Sequence, residues 1–189
     1  MADYSELLQK RRAIREFEDR KVPLDVIKEM IKESTCAPSS GNGQPWKFIV
    51  VDDPAWKKKL SDESKKSLLA MLEKNPDAPM KKYEAALRNP DFNVYYNSSC
   101  VVFIVADKNL RTFLVDSALC ACYLMFAAAS RGLGSCWIGL GQNIRNPELL
   151  KEIGLPEDHV IVAPIAIGYP KSIPEVPERA EPQILKILS

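Results

Sequence analysis

The chain's hydrophobic positions fall into two kinds of run. Cys100 to Ala106 (CVVFIVA) and Val160 to Gly168 (VIVAPIAIG) are nearly unbroken apolar stretches bounded by polar residues. Runs of that length and composition predict strands covered on both faces. Lys47 to Asp52 predicts a further strand, and Ser135 to Gly139 a short one entering a glycine turn. Pro164 in the last strand implies a bulge or an edge position. Helical spacing instead marks Val26, Ile27, Met30 and Ile31, in a helix opened by Val22-Pro23-Leu24-Asp25 and closing at Ser34. A lysine-rich helix from Asp53-Pro54 to about Glu73 places Leu60, Leu68, Leu69 and Leu72 inward. Leu114 to Leu133 is apolar almost all round, which predicts a helix buried at the centre and capped by Gly132 and Gly134.

Two shorter helices are expected at Asp3 to Arg12, with Asp3 as N-cap, and at Pro147 to Ile153, closed by Gly154. Asn75 to Asn97 carries little pattern beyond one weak helix (Met80 to Leu87) and the pair Tyr95-Tyr96. From Tyr169 onward, Pro170, Pro174, Pro177 and Pro182 predict an extended arm, residues 169–189. Its apolar end, Ile184-Leu185-Lys186-Ile187-Leu188, requires burial on a partner subunit or on the chain's own surface. With no internal repeat and no flexible linker, residues 1–189 read as one α+β domain.

Composition narrows the function. The 189 residues are 46% hydrophobic and 27% charged, with a net charge of +1. No global field recruits nucleic acid or an anionic membrane. Lys57-Lys58-Lys59 is expected on a solvated helix face. No apolar run reaches the roughly eighteen residues of a membrane span, and the N-terminus lacks a signal core, so a cytoplasmic location is expected. Five cysteines form no CxxC, and Cys120 and Cys122 point to different sides of a helix. With His159 as the single histidine, a zinc site is not expected, and the cysteines read as reduced core residues. His159 itself reads as a surface or helix-end residue.

Rossmann and P-loop glycine signatures and a G-x-S-x-G elbow are missing. Four dispersed groups remain. In "KRRAIREF", Arg11 and Arg15 are four apart and would share a helix face, suited either to a dianion or to complementing the helix dipole. In "TCAPSSGNGQPWKF", Ser39, Ser40, Asn42 and Gln44 supply hydroxyls and amides, while Gly41 and Gly43 allow close approach of backbone to a ligand. In "GLGSCWIGLG", Gly139 and Leu140 come where a strand emerges, with N–H groups available to a flat ring. Arg179 stands alone as the arginine of the C-terminal arm.

Together, "RRAIREF", "APSSGNGQPWKF", "GLGSCWIG" and "AIGYP" followed by a downstream arginine resemble the flavin-dependent nitroreductase family, in order and in spacing. That resemblance covers nearly the whole chain, with Asn75 to Asn97 its weakest part. It implies a central mixed, mostly antiparallel sheet flanked by helices, with the C-terminal arm packing on the partner of a homodimer. It further implies FMN at the subunit interface, NADH or NADPH as electron donor, and ping-pong hydride transfer through flavin N5 to nitroaromatics, quinones or related electrophiles. By the same resemblance Arg11 and Arg12 would hold the FMN phosphate, with Arg179 reaching it from the arm. Ala13 stands where the family often has serine, so one hydroxyl contact is missing. Arg15 would sit at the pyrimidine edge. Pro38, Ser39 and Ser40 would come from the other subunit, with Asn42 and Gln44 in the same block, and Gly139 and Leu140 would offer N–H groups to N5. No side chain is assigned as a catalytic nucleophile, acid or base. Other readings are a same-fold enzyme with different flavin chemistry (dehalogenation, desaturation or flavin breakdown), a non-catalytic FMN-binding protein, and a flavin-free interaction domain.

Overall fold

The computed structural model describes residues 4–188, so the expected N-cap at Asp3 lies outside the described residues. In chain order the elements are α1 (Tyr4–Lys10), α2 (Leu24–Ser34), β1 (Trp46–Val51), α3 (Pro54–Lys74), α4 (Glu84–Arg88), β2 (Cys100–Asp107), α5 (Phe113–Ala129), β3 (Gly134–Trp137), α6 (Pro147–Glu152) and β4 (His159–Gly168). Three short 3-10 turns intervene, at Ser40–Asn42, Pro79–Tyr83 and Gly139–Gln142. α3 and α6 start as their sequences dictate. Asp53 and Asn146 each accept an N–H bond from the first turn, at 2.9 and 3.1 Å, and proline follows both.

The strands form one sheet in the order β1-β2-β4-β3, every ladder antiparallel. A parallel bridge between Ala13 and Ser135 makes the sheet mixed. Alternation along β2 divides the core. Val102 and Ile104 face α2 and α5, while Val101, Phe103 and Val105 face Leu60 of α3 and Tyr95. Both faces are thus covered, as the unbroken apolar run requires.

Pro164 lies in β4, a central strand and not an edge. The bulge falls two residues earlier, where Ile104 pairs Ala163 and Val105 pairs Ile161, leaving Val162 over. Gln142 Nε2 donates to the freed Val162 carbonyl. The Pro164 carbonyl accepts from Ile138 N–H at 2.8 Å, so its missing donor faces the spot where β3 has just ended.

α5 stops at Ala129, four residues short of the expected end. Gly132, at φ 70°, closes it with Leu133 N–H bonded to the Ala128 carbonyl at 3.0 Å. Nor is α5 buried all round. Leu114, Val115, Leu119 and Tyr123 are exposed, up to 64% for Val115, and form a stripe along one face. Lys57 is also not on a solvated face: it is buried, its Nζ donating to the carbonyls of Ser98 and Ser99. His159 is buried at the start of β4, with Nδ1 2.6 Å from Asp158 Oδ1.

Candidate active site

The basic segment after α1 is extended, not helical. Ile14 N–H donates to the Ser135 carbonyl at 3.0 Å, and Phe17 bridges Pro170. Residues 11–17 therefore lie as a strap beside β3. Two glycines seat it: a Cβ on Gly134 would stand 2.8 Å from Ile14, and one on Gly168 would stand 2.8 Å from the Phe17 ring. Because the strap is extended, Arg11 and Arg15 do not converge on one spot, and two adjoining hollows result.

The first hollow, about 270 Å³, is lined by Lys10, Arg11 and Arg12 opposite Gly132, Gly134 and Ser135. Arg12 donates from Nη1 to the Arg11 carbonyl at 2.7 Å and from Nε to the Glu175 carbonyl at 3.3 Å, yet its Nη2 is buried with no partner among the described residues. A buried guanidinium donor without an acceptor is costly, and a phosphate oxygen would satisfy it. Ala13 is exposed in the strap, where it bridges Ser135 in parallel register.

The second hollow, about 530 Å³, runs from Arg15 and Cys136 past Gly139 and Leu140 to Tyr83 and Tyr96. Gly139 opens a 3-10 turn, whose leading N–H groups have no acceptor within the turn. A Cβ on Gly139 would meet only open space. Burial pushes the Cys136 thiol and the Tyr96 hydroxyl up from their ordinary pKa values, though Arg15 pulls both down.

Pro38, Ser39, Ser40, Asn42 and Gln44 lie elsewhere. They precede Trp46, which pairs with Ala106, which in turn pairs with Val160, whereas Cys136 pairs with Ala166. The loop is thus displaced from Cys136 by six residues of β4, about 20 Å, and by three strand spacings, about 14 Å, and the strap lies one spacing further out, beside Ser135. It is a built loop nonetheless. Ser40 N–H donates to Asp116 of α5 at 3.1 Å, Gln44 N–H to Ser39 Oγ at 3.0 Å, and Gly41, Asn42 and Gln44 all have positive φ. Arg179 is exposed on the arm and lines neither hollow. Within one chain, then, the structure brings together Arg11, Arg12, Ala13, Arg15, Gly139 and Leu140, and leaves the loop and Arg179 apart.

The sequence model of the nitroreductase family matches residues 8–169. The chain belongs to the nitroreductase family. It is accordingly an oxidoreductase with the nitroreductase fold. A Bacillus subtilis protein provisionally named NAD(P)H nitroreductase YfhC is 30% identical over 183 residues, 92% of this chain and 88% of its own. A nitroreductase from Bacteroides fragilis, solved with bound FMN, superposes with a TM-score of 0.82 at 21% identity, covering 100% of both chains. A structure of iodotyrosine deiodinase bound to FMN and 3-iodo-L-tyrosine superposes at 0.78 with 22% identity, covering 97% of this chain and 99% of its own.

Sequence reasoning missed Lys10, Gly132 and Ser135 in the first hollow, and Met80, Tyr83, Tyr96 and Asn143 in the second. The Tyr95-Tyr96 pair in a segment without periodicity was the one available signal. Among the described residues, no helix is long and apolar enough to cross a membrane.

Proposed function

We propose that residues 1–189 form one FMN-binding unit that oxidises NADH or NADPH and reduces planar electrophiles such as nitroaromatics and quinones. The observation that carries this reading is the buried Nη2 of Arg12, without a partner among the described residues, in a hollow lined by Arg11, Arg12 and the Lys10–Glu6 pair. Arg11 and Arg12 bind the phosphate. Arg15, in the adjoining hollow, places a fixed cation at the ring's pyrimidine edge, which favours added negative charge there. Gly139 and Leu140 present N–H groups to the ring edge, and the open face beyond Gly139 receives donor and acceptor in turn. FMN, when bound, supplies the hydride chemistry; the chain orients it and keeps one face accessible.

The reading extends to a homodimer in a cytoplasmic setting. Pro38, Ser39, Ser40, Asn42 and Gln44 are too far from the strap to reach the same ligand within one chain, but a second copy can supply them. The exposed stripe of α5 begins beside that loop, and the arm (169–189) carries exposed Ile184, Leu185, Ile187 and Leu188. Burying such apolar surface is the ordinary driving force for a stable dimer. In that assembly Arg179 reaches the partner's phosphate hollow.

A second reading, reductive dehalogenation, draws on the likeness to iodotyrosine deiodinase. It is the less supported: the residues lining the second hollow include no carboxylate to receive an amino-acid ammonium group. Flavin absorbance of the purified protein, followed by anaerobic titration with NADH and NADPH, tests the proposal. Bleaching by either donor and reoxidation by a quinone is expected. A colourless protein after incubation with FMN would refute it.

A further inference from the structure

Tyr96 and Asn97 have φ of 55° and 51°, two consecutive left-handed residues, one of them bulky. Such a backbone costs free energy and persists only where the surroundings over-determine it. Here α3 does so with polar residues at intervals of four. Lys57 Nζ donates to the Ser98 and Ser99 carbonyls, Ser61 Oγ accepts from Val94 N–H at 3.0 Å, and Lys65 Nζ donates to the Asn89 and Phe92 carbonyls at 3.2 and 2.9 Å. Tyr95 is anchored separately, by its hydroxyl on the Gly141 carbonyl and its ring edge-on to Phe103. Phe92 meets the Tyr96 ring at 71°, fixing its plane. All this directs one half-buried side chain to the wall of the 530 Å³ hollow, beside Arg15.

A guanidinium only donates hydrogen bonds. Arg15 can therefore occupy a lone pair of the Tyr96 oxygen but cannot take its proton, which is left for something in the hollow. A tyrosine hydroxyl, with an ordinary pKa of about 10, is protonated at neutral pH, and burial raises the pKa of this one further. We propose that Tyr96 contacts the acceptor, donating a hydrogen bond from its hydroxyl to an oxygen of a quinone or nitro group and so selecting oxygen-bearing acceptors. This rests on the flavoenzyme reading above, and Lys57, Ser61 and Lys65 are its positioning residues.

The test compares Tyr96→Phe with the parent, both loaded with FMN. Expected are equal flavin content and a loss selective for oxygen-bearing acceptors, with ferricyanide, which needs no oxygen contact, affected much less. For menadione, kcat/KM should fall by about tenfold or more. The dissociation constant of menadione from the oxidised protein, measured without nicotinamide, should rise similarly. Unchanged menadione values, or an equal fall for ferricyanide, would overturn the assignment. A measurement on the parent alone guards against a misfolded variant: methylnaphthalene, which lacks the oxygens, should bind about tenfold more weakly than menadione, and equal or tighter binding would overturn the proposal. A parent that holds no flavin would sink the flavoenzyme reading and this inference with it, whereas a flavin-loaded parent indifferent to Tyr96→Phe would sink this inference alone.

Discussion

The Tyr95 hydroxyl donates to the Gly141 carbonyl at 3.2 Å, and the Tyr95 ring fills the space a Cβ on Gly141 would need, 2.5 Å from Cε1. One contact thus ties the 92–99 segment to the turn that carries Gly139 and Leu140. Gly141→Ala should push the two apart. The tyrosine is fully buried against Phe103 and cannot swing away, so overpacking of about 1–3 kcal/mol is expected. Urea denaturation should show the loss in the midpoint. Gly139→Ala, whose Cβ meets nothing within 4 Å, should cost far less, and equal losses would refute the packing argument.

Arg12 offers a sharper separation of binding from folding. Its Nη2 has no partner among the described residues, so Arg12→Met removes little that the fold uses beyond the bonds to the Arg11 and Glu175 carbonyls. A charge-assisted bond to phosphate contributes about 1.5–3 kcal/mol. FMN affinity should therefore fall by roughly ten- to a hundredfold, with a thermal midpoint measured without flavin nearly unchanged. Flavin retained in full after gel filtration would contradict the phosphate assignment.

Much of this was readable from residue order, and the failures have physical causes. Strands β2 and β4 announce themselves because both faces are covered, and the proline and Asp or Asn caps mark the starts of α3 and α6. The strap was misread as helix because its extended form depends on distant partners, Ser135 and Pro170, and on the glycines it presses against. Lys57 looked solvated because periodicity cannot reveal a buried cation whose acceptors are backbone carbonyls 41 and 42 residues away. The same ladder helps explain why residues 89–97 had no periodic pattern: α3's polar side chains hold the backbone there, beside the buried Val94 and Tyr95.

Burial also governs the thiols. It pushes Cys100 up to about 12 and Cys120 up to about 11. Neither should react with a thiol reagent at pH 8 in the native protein, and both should react after unfolding. The sign for stability follows. Above about pH 9 the unfolded chain loses these protons while the folded chain keeps them, so each group lowers stability by about 1.4 kcal/mol per pH unit until its folded pKa is reached. Lys57 works the other way. Desolvation lowers its pKa, so as pH rises past its folded pKa toward the usual lysine value the penalty of burying its charge is relieved. Cys100→Ala should flatten the alkaline fall in stability, as read from urea midpoints between pH 8 and 10.

The stripe on α5 makes the last expectation. Val115 is 64% exposed and Leu119 37%, one helical turn apart on the same face as Tyr123. Neither supports the core of its own subunit, so Val115→Glu should leave a single chain folded while placing a carboxylate in any apolar interface that covers the helix. If two copies pack there, the variant should sediment as a monomer. It should also lose flavin, because the loop of Pro38 to Gln44 would no longer reach the strap of a second chain. Far-ultraviolet circular dichroism would check the fold, and sedimentation together with flavin absorbance would check the rest. A monomeric variant that kept its flavin would separate the two ideas: the interface would stand, and the loop's contribution across it would fall.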